Sequence, residues 1–537
     1  MRSTFQGLEV AKRGMFTQQT AISVTGHNIA NANTPGYTRQ RVNFQQTEPY
    51  PAPGMNRPQI PGQMGTGVEA GSIQRVREGF LDTQYRGESN KLGYWQSKSE
   101  ALSKMEDVLN EPSKNGLSAV MGEFWQSLQD LSVNPENEGA RAVVLQRGQS
   151  VVDTFHYLHD SLSAIKNDIG SQISVTVKEA NSILEQIASL NKQISEIEPH
   201  GYLPNDLYDE RDRLVDQLSQ HMNIKVEKVP TGGNALKIAE GTYKISLVDV
   251  SGKSEADDLL VDGDKFNQIG VEDGTDSDND GIPDQPNGSL TNFKILKPVD
   301  GAPKTFTDVK TIGVNDFSQG KLKALSESYG YEEGGVTKGL YPDMLDNLDR
   351  LAYTFGSVLN AVHKKGYDLE SGTVSTKNIF DGLDPSKANY KDAAKNIQMS
   401  NITEKELAAS VSASNGGNGT NAINLANVTS MLLSNTTQKL EGLSDTIDLT
   451  NLSAIDKGGT INSFYEGVIG RLGVDAQQAI RMTKNSTVLA QSVETNRQSI
   501  SSVSLDEEMT DLIKFQHAYN AAARNITVVD EMLDKII

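Results

Sequence analysis

The sequence predicts an α+β protein of several domains, with helices at both ends of the chain and strands confined to its middle. Near both termini, apolar residues recur at alternating steps of three and four, which is typical of helices that pack in coiled coils. A longer helical pattern lies between them, and near residue 240 the pattern changes to the alternation typical of strands. A chain of 537 residues has room for about three to five domains.

Composition excludes several function classes. The net charge of −20 argues against nucleic acid and against an anionic membrane surface as partners, because both attract Lys and Arg. No apolar run reaches the ~20 residues that a transmembrane helix needs. Residues 1–13 lack the apolar core of a cleaved signal peptide. Cysteine is absent, so disulfides, thiolate metal sites and cysteine nucleophiles are excluded together.

The first predicted helix covers residues 5–30 and ends in a polar turn. Pro35 and Gly36 suit the two central positions of a type II turn, and residues 38–77 are predicted to be extended chain with hairpins. The large apolar residues of the helix that form its predicted seam are Leu8, Met15, Ile22 and Ile29. The residues that mark its end are Asn28, Asn31, Asn33, Pro35, Gly36 and Tyr37.

Long helices are predicted in the body of the chain. The longest runs from about 150 to 198, on the order of 70 Å, and ends at Glu198-Pro199-His200-Gly201. A second helix over about 204–221 should fold back on it. Residues 88–135, 343–364 and 460–500 are also predicted to be helical. Helices of such length are typical of rods and bundles rather than of enzyme cores.

Residues 226–335 are predicted to form an inserted, mainly β part with an acidic loop at 249–288. Leu236 and Ile238 alternate on one side of Glu240-Gly241, and residues 243–247 alternate on the other, which predicts a hairpin.

The C-terminal helix carries the most regular pattern in the chain. Ser504 and Glu507 have the spacing of a capping box at its start. The predicted partner is the N-terminal helix; the alternative is an ordinary amphipathic helix that lies on a globular core. The residues of its predicted seam are Leu512, Phe515, Tyr519, Ile526, Val529 and Leu533, with Ala522 between them.

An acidic stretch in the β insert has the spacing of a calcium loop. Its carboxylates occupy relative positions 1, 3, 5 and 9, and Gly281 occupies position 6, where such loops turn sharply. Position 12 holds Asn287 instead of the Glu of an EF-hand. A calcium site of another type and an acidic surface loop without an ion both stay open; no other cofactor is expected. The four candidate calcium ligands are Asp276, Asp278, Asp280 and Asp284.

Catalytic patterns are not found in the sequence. His156 and His159 lie one helical turn apart, but no carboxylate in a matching turn completes a zinc set. Because neither a nucleophile with a base nor an acid–base pair is visible, we expect that the protein is not an enzyme.

Both ends of the chain resemble one protein family. The segment from Asn28 to Tyr37 is similar to the N-terminal signature of bacterial flagellar rod, hook and hook-associated proteins, which form the axial family. Residues 504–508 and 515–524 resemble the closing helix of that family. The interior blocks 203–218 and 345–364 are similar to those of its hook–filament junction members.

The resemblance implies a structural subunit of the flagellum, at the junction between hook and filament and needed for filament assembly. It implies export by the flagellar type III system without a cleaved signal, to an extracellular site. The implied partners are other copies of the chain, the hook protein, a second junction protein (hook-associated protein 3) and an export chaperone on the C-terminal helix. The alternatives are that the chain is another hook or rod subunit, or that it is a calcium-stabilised extracellular adhesin.

The domain division expected from these observations is discontinuous. Residues 1–60 and 503–537 form a terminal helical domain; residues 61–225, 336–400 and 401–502 form a helical rod domain; and residues 226–335 form the β insert. We expect the terminal helices to be largely disordered in a free monomer and to fold when neighbouring subunits cover their seams. Such contacts join unlike patches and therefore build tubes.

Overall fold

The computed structural model describes residues 5–51, 54–55, 62–272, 274–299, 301–302, 304–413, 416–455 and 458–535. It is a mixed helical and sheet structure with long helices at both ends. The helices are α1 (Gln6–Asn31), α2 (Gly79–Leu109), α3 (Leu117–Val133), α4 (Glu138–Ile197), α5 (Asn205–His221), α6 (Lys321–Tyr329), α7 (Leu340–His363), α8 (Ala393–Asn396), α9 (Thr420–Ala426), α10 (Ile461–Ser501) and α11 (Leu505–Asp534).

The strands are short and form separate small antiparallel sheets. They are β1 (Gln40–Gln46), β2 (Val68–Arg75), β3 (Ile224–Val229), β4 (Thr242–Leu247), β5 (Leu259–Asp262), β6 (Lys265–Phe266), β7 (Gln268–Val271), β8 (Asn292–Pro298), β9 (Phe306–Gly313), β10 (Tyr331–Glu333), β11 (Val336–Lys338), β12 (Phe380–Asp381), β13 (Gln398–Met399), β14 (Thr437–Lys439) and β15 (Thr446–Asp448).

The two ends of the chain meet in one unit, which we call the terminal module: α1, β1, β2 and α11. α11 packs along α1, as the sequence predicts, and the β1–β2 hairpin covers another side of α1. The predicted turn after α1 is confirmed, since Tyr37 N–H donates to Thr34 O at 3.2 Å and Gly36 has φ +84°. That backbone conformation favours glycine.

The helical body is built around α4. Its 60 residues begin at Glu138, so the predicted start near 150 is wrong. The side chain of Asn137 accepts hydrogen bonds from the N–H groups of Gly139 and Ala140 and thereby caps the helix at this earlier position. The helix ends where predicted, before the turn at Glu198–His200. The predicted helices near 204–221, 343–364 and 460–500 are confirmed as α5, α7 and α10. The predicted helix over 88–135 is instead two helices, α2 and α3, because Asn110 has a left-handed backbone conformation (φ +47°) that ends α2.

The inserted part contains a four-stranded sheet in the order β3-β4-β5-β6 and a three-stranded sheet in the order β7-β8-β9. Tyr243, Ile245 and Leu247 point into the core as predicted, but the predicted hairpin partner at 236–238 is wrong. β4 pairs instead with β3, and the residues between them form a loop. The buried carboxylate of Glu198 holds this loop by accepting the Gly241 N–H at 2.9 Å.

One continuous apolar core joins the helical body to the inserted sheets. Phe124, Phe155 and Phe355 are fully buried at its centre. Within the described residues, none of the helices is both long and apolar enough to cross a bilayer. The described residues of α1, β1, β2 and α11 do not belong to this core, so the terminal module is attached by other means.

Candidate assembly interface

α1 and α11 run antiparallel in a constant register. A Cβ placed on Gly7 would lie 3.9 Å from Val529, and one placed on Gly14 would lie 3.9 Å from Ala522. Farther along the pair, Asn28 Nδ2 donates to the Glu508 carboxylate at 3.0 Å. A step of seven or fourteen residues toward the C-terminus of α1 thus corresponds to an equal step toward the N-terminus of α11, as heptad packing requires.

A row of small residues of α1 lies along its contact with α11. Gly7, Gly14, Ala21 and Asn28 recur every seven residues, and Ala21 and Asn28 are buried. Small side chains let two helix backbones approach closely. This spacing of small residues is a signal in the sequence that a search for large apolar residues misses.

The predicted seam residues of α1 lie one position beyond these small residues. All four are half-buried along the flank of the α1–α11 contact: Leu8, Met15, Ile22 and Ile29. The predicted residues of α11 form its half-buried face toward α1 and β1: Leu512, Phe515, Tyr519, Ile526, Val529 and Leu533. The ring of Phe515 meets Phe44 of β1 edge to face, with centroids 5.9 Å apart.

The terminal module leaves much apolar surface in water. Among the described residues of α11, only Glu508 is fully buried. Met509, Ile513, Val528 and Met532 of α11 are exposed, as is Phe16 of α1. A helix pair with so little burial gains little stability from its own contacts. The arrangement is suited to further contacts with other chains.

Asn28 organises the end of α1. Its side-chain oxygen accepts the Gln40 N–H at 3.0 Å and the Tyr37 hydroxyl at 2.7 Å. Its amide donates to Gln40 O at 2.8 Å and to Glu508. One buried side chain therefore links α1, the turn, β1 and α11.

The other signature residues shape the turn. Asn31 donates to His27 O and accepts from Thr34 Oγ1 at 3.1 Å. Asn33 and Pro35 are exposed, and a Cβ on Gly36 would lie 3.4 Å from Arg213 of α5. Burial and then the carboxylates of Asp206 and Asp209 raise the pKa of Tyr37 above its usual value, so its hydroxyl stays a donor.

Arg39 fastens α11 to the hairpin. Its guanidinium contacts Glu508 at 2.7 Å and Glu507 at 2.6 Å. The predicted capping box is wrong: Ser504 is the N-cap residue, but its side chain accepts no capping hydrogen bond. The carboxylate of Glu507, which the box would use, is directed to Arg39.

The block at 203–218 faces the terminal module through polar contacts. Gln40 Nε2 donates to Asp206 at 2.9 Å, and the Thr38 N–H donates to Asp209 at 3.0 Å. Asn205 Nδ2 donates to Ile73 O at 3.0 Å. The sequence marked this block only by resemblance; the acidic residues at steps of three and four on one face of α5 are the signal for its role.

The structure brings three of the four candidate calcium ligands together. Ligand oxygens of Asp276, Asp278 and Asp280 lie within 4.8 Å of one another, and all three residues are exposed. Asp284 is buried and is not part of this group; it contacts Lys178 Nζ at 3.0 Å and accepts from Ser174 Oγ. Lys178 Nζ also lies 3.0 Å from Asp278. Calcium binding at this loop stays a prediction.

Three family models match different parts of the chain. The model described as the flagellar hook-associated protein FlgK helical domain matches residues 102–380. The flagella basal body rod protein model matches residues 8–38, which include α1 from Leu8 onward and the signature turn. The model of the flagellar basal body rod FlgEFG protein C-terminal region matches residues 495–537, which include α11.

Relatives extend the similarity to the whole chain. Flagellar hook-associated protein 1 of Salmonella typhimurium is 23% identical over 606 residues, covering 98% of each chain. The structure of the flagellar hook junction protein FlgK from Burkholderia pseudomallei has a TM-score of 0.56 at 13% identity, covering 78% of this chain and 100% of that one; it shows the fold alone. Flagellar hook-associated protein 1 of Bacillus subtilis is 40% identical over 541 residues, covering 100% of this chain and 98% of the relative. On this similarity, the chain belongs to the flagellar hook-associated protein 1 family.

Proposed function

We propose that the protein is a structural subunit of the bacterial flagellum that forms the junction between hook and filament and is needed for filament assembly. It is not an enzyme in this proposal. The observation that carries it is the terminal module, whose two helices are matched by axial-family models and retain large apolar side chains in water. Buried against neighbouring copies, those side chains would contribute roughly 25 cal/mol per Å² of apolar surface.

The copies join through unlike surfaces. α1 presents Leu8, Met15, Ile22 and Ile29 beside the α11 contact, while α11 presents a different set. A contact between two different patches repeats from copy to copy and builds a tube instead of a closed dimer. In this tube, the half-buried seam residues are covered by neighbouring terminal modules.

Several partners follow from a position at the junction. The hook protein lies on one side, and a second junction protein, hook-associated protein 3, lies toward the filament. An export chaperone binds α11 before assembly, and the chain leaves the cell through the flagellar type III system without a cleaved signal. Support for this group comes from the family membership and from the incompletely buried α11.

A strain that lacks this protein tests the proposal. The cells should build normal hooks, carry no filaments and release flagellin into the medium as monomer. Restoring the gene should restore filaments. Loss of the hook itself would instead favour the alternative that the chain is a hook or rod subunit, and normal filaments would overturn the proposal.

A further inference from the structure

The terminal module is joined to the helical body by a cluster of charged side chains, which we call the ionic elbow. It lies between β2, the start of α2, α5 and the last turns of α10. Its guanidinium groups belong to Arg75, Arg77, Arg86 and Arg497, and its carboxylates belong to Asp82, Asp209, Asp212, Asp216 and Glu240.

Asp212 of α5 lies at the centre of the elbow, with its side chain 2% exposed. Its carboxylate contacts Arg75 at 3.0 Å, Arg86 at 3.2 Å and Arg77 at 3.4 Å. The Tyr243 hydroxyl donates to it at 2.8 Å. Burial opposes its ionisation, but these three guanidinium groups, together with that of Arg211, outweigh burial and hold the pKa of Asp212 well below its usual range.

The contacts of Asp212 join separate parts of the molecule. Arg75 ends β2 of the terminal module and also contacts Asp209 at 2.6 Å. Arg77, in the segment after β2, holds Asp82 of α2 at 2.7 Å. Asp216, one turn beyond Asp212, receives Arg86 of α2 at 2.8 Å and Arg497 of α10 at 2.5 Å. Module and body thus share one set of ion pairs.

The apolar core of the body does not extend into the terminal module. In the described chain, the continuous apolar core contains no residue of α1, β1, β2 or α11. Apolar contacts are non-directional and allow surfaces to slide, whereas guanidinium–carboxylate bonds need a defined geometry. Buried ion pairs add little net stability, and in some proteins they specify register instead. The elbow therefore has the properties needed to fix the angle between the terminal module and the helical body.

We propose that Asp212 is the positioning residue of this elbow and fixes the tilt of the terminal module on the helical body. The tilt orients the half-buried faces of α1 and α11 toward the next copy in the tube. This step rests on the proposed assembly function, but the tilt itself is a property of the monomer. We limit the disorder expected in a free monomer to the far ends of α1 and α11, because Asn28 and Arg39 tie the module together at the end beside the body.

The absence of cysteine allows a direct measurement of the tilt. Ser23→Cys on α1 and Ser189→Cys on α4 place spin labels on exposed positions of module and body. Pulsed electron paramagnetic resonance should give one narrow distance distribution. Asp212→Asn keeps the shape of the side chain but removes its charge, and it should widen the distribution at least about twofold. An unchanged width would overturn the proposal.

Matched variants separate tilt from unfolding. Asp168→Asn makes the same change at an exposed position of α4, away from the elbow, and should leave the width unchanged. Labels at Ser23→Cys and Gln516→Cys lie within the module and should keep their distance in Asp212→Asn. If Asp212→Asn unfolds the module, Arg77→Lys is the test variant instead. It keeps the positive charge but loses the planar guanidinium group that contacts both Asp82 and Asp212. A narrow distribution in folded Arg77→Lys would then overturn the proposal.

The outcome is independent of the test of function. The distance is measured on purified monomer. An unchanged width would therefore refute the proposed role of the elbow without affecting the proposed role at the junction. Conversely, normal filaments in the deletion strain would refute the proposed role at the junction, whatever the width of the distance distribution.

Discussion

Asn28 uses every hydrogen-bonding atom of its side chain, and three of its four bonds hold β1 or α11. An amide is needed at this position because it donates and accepts at once. A carboxylate of the same shape has no donor when ionised, so it cannot serve Gln40 O or Glu508.

Asn28→Asp should therefore loosen the terminal module. The change removes two donors and places a negative charge about 3 Å from Glu508, a loss on the order of 2–4 kcal/mol. Amide hydrogen exchange in α1 and in the first half of α11 should become at least about tenfold faster. Asn33→Asp, at an exposed position of the same signature, is the control and should exchange like the parent. Equal exchange in both variants would contradict the assigned role.

A second residue, His363 of α7, makes stability depend on pH. Its Nδ1 lies 2.9 Å from Lys377 O, and its Nε2 accepts the Ala408 N–H at 2.9 Å, so the buried ring is neutral. Burial lowers the pKa of His363 to about 4. The unfolded chain binds this proton near pH 6.5, so acidification between about 6.5 and 4 favours unfolding by roughly 3 kcal/mol.

Denaturant unfolding of the parent and of His363→Gln checks this dependence. Buried Asp349, whose pKa burial raises to about 6, works in the opposite direction and acts equally in both proteins. The parent's advantage in unfolding free energy over the variant should therefore shrink by roughly 3 kcal/mol from pH 7 to pH 4. A constant difference across this range would show that His363 does not carry the effect.

At the scale of elements, α2 and α5 approach each other at Gly93. A Cβ there would lie 2.3 Å from the backbone oxygen of Gln220, whereas a Cβ on Gly87 of the same helix would meet nothing within 4 Å. Gly93→Ala should lower the unfolding free energy by about 1–3 kcal/mol because of the clash. Gly87→Ala should raise it by up to about 1 kcal/mol, since alanine favours helix. Thermal melting of both variants tests the pair, and destabilisation of equal size would contradict it.

The C-terminal part of α11 should matter for assembly more than for folding. Leu533 is half-buried, so Leu533→Asp should change the melting of the helical body little. In an assembled tube the same charge would be buried without a partner, at a cost of several kcal/mol per subunit. Cells with this variant should build hooks, lack stable filaments and release flagellin. Cells with the control variant Lys535→Asp, at an exposed position, should swim. Normal filaments on Leu533→Asp cells would refute the proposal that this face of α11 holds the subunits together.

At the scale of the whole molecule, the terminal module is held at one end only. At the end beside the body, Arg39 and Asn28 tie the parts of the module to each other and the elbow joins the module to the body. The far end, near Gly7 and Val529, lacks such polar contacts among the described residues. The monomer should therefore open from the far end. Limited trypsin digestion should cut first after Lys12, Arg13 and Arg524, and last in the apolar core of the body. Uniform resistance of a verified monomer would contradict this gradient.

Much of the architecture follows from local pattern. The alternation of three and four predicts α1, α11 and much of α4, because a helix places such residues on one face whatever surrounds it. The Asn-rich turn after α1 follows from the conformations of Pro35 and Gly36. The strand partner of β4 did not follow, because two nearby stretches alternate in a similar way and the contact of Glu198 with the loop between β3 and β4 cannot be seen in the sequence.

The sequence alone determined where most of the long helices lie, that the N-terminal and C-terminal helices pair with each other, and the family to which the chain is similar. Tertiary structure decided that a row of small residues of α1 lies against α11, that Glu507 bonds Arg39 instead of capping α11, and that module and body are joined through Asp212. The physical reason is range: periodicity and turn chemistry act over a few residues. A buried ion pair between β2 and α5 depends on side chains that only the folded chain brings within 3 Å of each other.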